Sequence, residues 1–462
     1  MTQSKQFAAL DEELNLKCQK AKIPGMALVV AKEGIPIFEK YYGFRDVEQE
    51  LEVTSDTVFG VASITKSFAA LAIMQLADED KLSVDDLVTK WLPEFKLPES
   101  YEDQVTIHHL MTHTSGLPGL PAVHQARAQS IKNDPDGEYL FGKLPELEDK
   151  VTTVVDLLDL LGKLDYNMLN SPGNAFNYSN ECFALLQEII ERASGQTFIE
   201  YMDEHILGPL NMEHSTFLTD DLQHMERVTE LYAFTQDEKK EVFHSPAWWD
   251  VGDIYSNGSL KASVSDLIKY LEVYRLNGTV NGEQIVSESS VEQMMTPQAT
   301  APNDHQYGYG LQVHDRFGLR LVGHGGGIKG VSSNMLISKE HGVTVAVLTN
   351  IADVAAEDLA MTAMRHVLEV EEVVEGHHYD ISTEVLEQYS GTYESMEGHA
   401  FCVTVDGKKL RLDVDHQSTV IDPVEKDGFL TPDGKKVVFL RNELDEVIGI
   451  FSGLRYTPKI SS

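Results

Sequence analysis

Ser63-Ile64-Thr65-Lys66 sets a hydroxyl and an amine three residues apart, and no other Ser-x-x-Lys occurs in the chain. On a helix, residues at that spacing share a face, so the amine can reach the hydroxyl. A serine hydroxyl is a weak nucleophile until a neighbouring base takes its proton, and a lysine buried in apolar surroundings loses its own proton more readily. The chemistry on offer is therefore attack on an acyl carbon.

Tyr178-Ser179-Asn180 is a second candidate, following Ser171-Pro172-Gly173-Asn174-Ala175-Phe176-Asn177. A tyrosine near a lysine can exchange a proton with it, and an asparagine offers both donor and acceptor to an ester or amide. Tyr255-Ser256-Asn257 repeats the same tripeptide. Spacing alone does not choose between the copies. The first is preferred because a helix-like run, Cys182 to Ala193, follows directly and would fix its loop, whereas the second leads into Gly258-Ser259-Leu260 and reads as structural. A third element, Gly323-His324-Gly325-Gly326-Gly327-Ile328-Lys329-Gly330, would let a substrate backbone approach a strand closely. Its Gly-x-Gly-x-x-Gly formally matches a dinucleotide fingerprint. That fingerprint needs a helix next, and 331–338 reads as a strand, so no nucleotide cofactor is expected. His109 and His113 stand four apart on a possible helix, but no adjacent Glu or third ligand accompanies them, and no metal is expected. No Gly-x-Ser-x-Gly elbow occurs.

These groups need elements to hold them. Phe7, Leu10, Leu14 and Leu16 suggest an amphipathic helix, followed by strands over 26–31 and 36–42. The run 63–77 is helix-forming and apolar all round, as a buried helix is. Residues 80–280 mix helical patterns with Pro- and Gly-punctuated loops. Strands return from 307 to 350, and a helix over 354–370 closes this part. An acidic stretch, 371–385, reads as a linker. Beyond it, short β-rich runs separated by Asp406-Gly407, Asp427-Gly428 and Asp433-Gly434 predict a small antiparallel barrel or sandwich over 386–462.

With 462 residues the chain is long enough for more than one core. Its 74 acidic residues against 37 basic ones give a net charge of −37, which disfavours nucleic acid and anionic membrane surfaces as partners. The N-terminus has no signal-peptide core, and no apolar run is of membrane-spanning length. Cys18, Cys182 and Cys402 are few and scattered, which fits a reducing compartment and predicts a cytoplasmic protein.

Ser-x-x-Lys, then Tyr-x-Asn, then a His-Gly strand, in this order, resemble the serine β-lactamase and penicillin-binding protein superfamily, and within it the class C-like branch of D-aminopeptidases and esterases. Residues 105–117, Pro172-Gly173 and Tyr307-Gly308-Tyr309-Gly310-Leu311 are similar to that branch as well. The resemblance spans about residues 10 to 370, and the final segment resembles the lipocalin-like domains of some members. It implies an α+β catalytic domain over 1–370, with an antiparallel sheet flanked by helices and a mostly helical subdomain, and a β-barrel over 386–462. It also implies a serine hydrolase that uses no cofactor. Ser63 would be acylated, Lys66 and Tyr178 would jointly act as base, Asn180 would hold the substrate, and His324 and Gly326 would line the pocket. The N–H groups of Ser63 and Gly327 would form the oxyanion hole. Many β-lactam-processing members carry a lysine where this chain has His324, a side chain mostly neutral at pH 7. That departure favours small esters, D-amino-acid amides or short peptides without a free carboxylate. A β-lactamase or DD-peptidase stands second. A scaffold that binds an apolar ligand in the barrel is the alternative from another class, and homo-oligomers are compatible with all three.

Overall fold

Alternation along the central strands decides which helices cover which face of the sheet. In the Gly25–Lys32 strand, Ala27, Val29 and Ala31 enter one core with Phe68 and Ala72 of the Thr65–Asp78 helix and Leu271 of the Val264–Arg275 helix. Met26, Leu28 and Val30 point the other way, onto Leu10 and Leu14 of the Gln3–Lys20 helix and Leu359 and Ala363 of the Ala356–Leu368 helix. The computed structural model describes residues 3–142, 150–371, 379–398, 400–414 and 417–461.

The sheet has nine strands, all paired antiparallel. The Gly25–Lys32 strand lies between Val343–Thr349 and Ile35–Asp46. Beyond Val343–Thr349 follow Val331–Ser338, Leu319–Ile328 and Gln312–Arg316. The Thr65–Asp78 helix is buried from Thr65 to Leu76, as the apolar run Phe68 to Met74 at its centre requires. It packs against the Asn180–Ser194 helix of a helical subdomain that also includes Ile107–Met111, Ala122–Asn133 and Val154–Leu161.

The C-terminal strands, from Gly391–Glu394 to Arg455–Ser461, close into an eight-stranded barrel, which resolves the choice between barrel and sandwich. Its hairpins turn where Gly407, Asp427 and Gly434 adopt positive φ. Tyr389, Tyr393, Phe429 and Phe439 pack ring against ring in its core, with centroids 4.6–5.9 Å apart. A short helix, Thr383–Leu386, precedes the barrel. Residues 372–378 of the expected linker lie outside the described residues, and its last residues, from Thr383, belong to that helix. Phe451 of the barrel shares a small apolar cluster with Phe176, Tyr178 and Tyr307, so the barrel sits on the face that carries the Tyr178 loop.

His109 and His113 do not share a helix. The helix ends at Met111, and His113 takes a left-handed φ of 58°. Among the described residues no group of His, Cys, Asp or Glu could hold a metal ion, and no helix is long and apolar enough to cross a membrane.

Candidate active site

The serine sits on a turn pinned from two sides. Ser333 Oγ donates to the Val61 carbonyl at 2.8 Å, and Thr65 Oγ1 donates to the Ala62 carbonyl at 2.6 Å while accepting from Leu260 N–H at 3.1 Å. Ala62 is held at φ 46°, a conformation unfavourable for a residue with a Cβ and of the kind that collects at functional sites. This turn leaves Ser63 half-buried at the cavity while Lys66 is wholly buried.

Lys66 Nζ has three oxygen partners: Asn257 O at 2.5 Å, Asn180 Oδ1 at 2.9 Å and Ser63 Oγ at 3.2 Å. Burial pushes its pKa well below the usual lysine value. Arg455 and Arg127 lower it further, and Glu181 opposes them. A neutral amine has two hydrogens and one lone pair. Two of the three partners are carbonyl oxygens that can only accept, so they take the hydrogens. The lone pair is left facing Ser63 Oγ, the one partner with a proton to give.

Tyr178 lies across the serine. Lys66 Nζ is 5.0 Å from its ring centre, and a hydrogen bond joins the phenol to Ser63. Burial raises the phenol to about 12; the Ser63 bond and the charge of Arg455 pull it back, and the charge of Glu397 opposes them. The ring of His113 packs 4.2 Å from that of Tyr178, and its Nδ1 accepts from Ser179 N–H at 3.1 Å. Ser179 Oγ caps the Asn180–Ser194 helix by accepting from Cys182 N–H, so the helix start fixes Asn180 beside the lysine.

His324 borders the same cavity, but both its nitrogens are engaged within the protein. Nδ1 meets Gly325 O at 2.5 Å and Nε2 meets Tyr307 Oη at 3.0 Å. The carbonyl can only accept, so Nδ1 carries the proton and Tyr307 donates to Nε2. Burial, reinforced by Lys66, pushes the imidazole down to about 3, and it is neutral. Gly326 is the point where the strand touches the Ser63 turn. A Cβ there would stand 2.2 Å from Val61 O and 3.0 Å from Ser63 N, whereas a Cβ on Gly327 would meet nothing within 4 Å.

Ser63, Tyr178, Asn180, His324, Gly326 and Gly327 thus surround one cavity of about 400 Å³, with Lys66 beneath it. Other groups on its wall were not anticipated from sequence. The second Tyr-Ser-Asn reaches the site through Asn257, whose main-chain carbonyl holds Lys66, while Tyr255 turns away and donates to Asp253 at 2.9 Å. Arg127 comes from the Ala122–Asn133 helix, and its place beside the buried Val123 and Ala126 was a readable signal. Leu454 and Arg455 come from the barrel, and nothing in their local sequence marks them.

Together, the flanked antiparallel sheet, the helical subdomain and a Ser-x-x-Lys turn facing a glycine strand define the β-lactamase-like class of α+β proteins. Residues 7–368 match the Beta-lactamase family model, and the chain belongs to that family. Among curated relatives, Protein flp of Staphylococcus aureus (strain MW2) is 28% identical over 345 residues. The match covers 74% of this chain but only 62% of that protein's length. Penicillin-binding protein 4* of Bacillus subtilis (strain 168) is 26% identical over 411 residues, covering 84% of this chain and 83% of that one. Among solved structures, the octameric penicillin-binding protein homologue from Pyrococcus abyssi superposes with a TM-score of 0.71 at 30% identity, over 97% of this chain and 99% of that one. A D-stereospecific amidohydrolase from Streptomyces sp. shares the fold, with a TM-score of 0.62 at 22% identity over 77% of this chain and 97% of that one.

Proposed function

We propose that the protein is a serine hydrolase that forms an acyl-enzyme on Ser63 and acts on D-amino-acid amides, short peptides or small esters. The observation that carries this reading is the Lys66 amine, held by two carbonyl acceptors so that its lone pair faces Ser63 Oγ. Ser63 gives its proton to Lys66 as its oxygen bonds to the acyl carbon. The oxyanion develops toward the N–H groups of Ser63 and Gly327. A phenol raised to about 12 is protonated at neutral pH, so Tyr178 serves as the acid. It donates to the leaving nitrogen or oxygen as that bond breaks, and the phenolate regains a proton from the Lys66 ammonium. Water then attacks the ester on Ser63 and the same groups reverse their roles.

The substrate's charge is read differently here than from His324 alone. Arg127 and Arg455 line the cavity and supply the positive charge that this strand position lacks, so a short peptide or amide with a carboxylate arm fits. The amidohydrolase and penicillin-binding relatives support amide-bond substrates, and β-lactamase or DD-peptidase activity is the second reading. A panel of a chromogenic ester, a D-amino-acid anilide and a chromogenic cephalosporin, run with wild type and Ser63→Ala, tests the proposal. Turnover by wild type alone supports it, and equal rates from both proteins on every substrate overturn it. A cephalosporin rate far above the others would move the substrate class to β-lactams.

A further inference from the structure

The barrel's last hairpin is bonded to the catalytic loop. Tyr178 N–H donates to Leu454 O at 2.9 Å, and Tyr456 N–H donates to Asn177 Oδ1 at 2.9 Å, so the residues on either side of Arg455 grip Asn177 and Tyr178. Arg455 itself lies with its guanidinium carbon 4.9 Å from the centre of the Tyr178 ring. It is aimed there by Glu397, from another barrel loop, whose side chain is 2% exposed and whose Oε2 is 3.0 Å from Arg455 Nε. Glu397 also acts on the phenol, its charge opposing that of the nearer Arg455, and the remaining charged or titratable neighbours are Lys66, His113, Tyr307 and His324. His113 and His324 are neutral because burial drives both pKa values far down, and Tyr307 stays protonated because burial drives its pKa far up. In the mechanism above Lys66 becomes a cation only when it takes the Ser63 proton and gives that proton up again to the phenolate, so Arg455 is the lasting cation against Tyr178.

We infer that Arg455 is a positioning residue for proton transfer: the barrel supplies, in the same chain, the cation that makes Tyr178 a competent acid toward the leaving group. This rests on the reading of Tyr178 given above. A cation facing a phenol favours the phenolate over the phenol, because the ring becomes richer in electrons as the proton leaves. The acid is needed most where the leaving group is poor. An amide nitrogen or an alkoxide must be protonated as it departs, whereas nitrophenolate leaves unaided. Removing Arg455 therefore penalises poor leaving groups selectively, which loss of packing alone does not do.

The test is kcat/KM, which reports the acylation step alone, for a series of uncharged esters of one acyl group, with leaving groups running from nitrophenol to a simple alcohol. Wild type, Arg455→Ala, Arg455→Lys and Tyr178→Phe are compared. Uncharged substrates remove any contribution of Arg455 to holding a carboxylate. An opposite charge within about 4–6 Å changes acidity by about 10- to 1000-fold, and with half of this felt at the transition state Arg455→Ala loses about 3- to 30-fold on the alkyl ester. Its loss on the nitrophenyl ester is under about twofold, and Arg455→Lys recovers most of the difference. Equal losses across the series, or no loss at all in Arg455→Ala while Tyr178→Phe is impaired, overturn the inference. Full activity in Tyr178→Phe instead removes the reading on which it rests. Should Arg455→Ala fold poorly, Arg455→Gln, which keeps most of the side chain's bulk but not its charge, shows the same leaving-group trend if the inference holds, and a flat profile if it does not.

Discussion

Replacing Gly326 with alanine adds one methyl group where the glycine strand meets the serine turn. The new Cβ would lie 2.2 Å from Val61 O, 2.5 Å from Ser333 Oγ and 3.0 Å from Ser63 N. Carbon and oxygen atoms in contact normally stay more than about 3 Å apart, so the strand and the turn must separate by about 1 Å. Ser333 Oγ can rotate aside, but the Val61 carbonyl belongs to backbone already held by Leu260 O and Ser333. The separation moves Gly327 away from Ser63 N and opens the proposed oxyanion hole. A misplacement of about 1 Å costs roughly 100-fold, and the loss of one donor costs about 100- to 1000-fold in kcat, or about 2.7–4 kcal/mol. Overpacking also lowers stability by about 1–3 kcal/mol. Steady-state hydrolysis of a chromogenic ester, paired with denaturant unfolding, measures both effects. Gly327→Ala is the control for folding, since its Cβ meets nothing within 4 Å, and it unfolds like wild type. A folded Gly326→Ala protein with kcat within about threefold of wild type would refute the reasoning, because it would show that the strand does not set the geometry of the serine.

Three other perturbations probe separate parts of the site. Tyr178→Phe lowers kcat on amides by about 100- to 10,000-fold, the usual range for losing a general acid, while Tyr255→Phe stays near wild type because its hydroxyl only meets Asp253; parallel kinetics on an anilide decide this. Glu181 is buried and raised from 4.5 to about 7, first by burial and then by Glu397. Its native form holds a proton that the unfolded chain releases, so stability is full below about 4.5 and falls as pH rises through about 7. Glu181→Gln removes on the order of 1–3 kcal/mol of that pH dependence, as unfolding measured from pH 4 to 8 will show. Tyr307→Phe leaves His324 Nε2 buried without its donor and destabilises the protein by about 1–3 kcal/mol in denaturant melts, with little change in the pH profile, since His324 stays neutral.

How much of this was legible in the sequence follows from how local each determinant is. Ser63 and Lys66 sit one helical turn apart, and Tyr178 and Asn180 flank a helix cap, so their spacing carries their geometry. The apolar stretch Met26 to Ala31 and the apolar run from Phe68 to Met74 likewise announced a strand and a buried helix. Asn257, set aside with the second Tyr-Ser-Asn as structural, reaches the site through a main-chain oxygen, which no side-chain motif reveals. Arg455 escaped because it joins Tyr178 across a gap of 277 residues, bridged only when the barrel docks on Phe176 and Tyr307. The charge of the pocket was therefore misjudged from His324 alone, since the cations on its wall come from a helix and a hairpin far away in the chain.

The central claim, that Ser63 is the acylated residue and Lys66 its base, is tested most directly by trapping the covalent intermediate. The protein is mixed with an excess of a slowly deacylated ester, quenched in acid, digested and analysed by mass spectrometry. The account predicts one acyl group, on the peptide containing Ser63, its rate of appearance collapsing in Lys66→Ala and its signal absent in Ser63→Ala. Acylation of another residue, or undiminished turnover in Ser63→Ala, would contradict it.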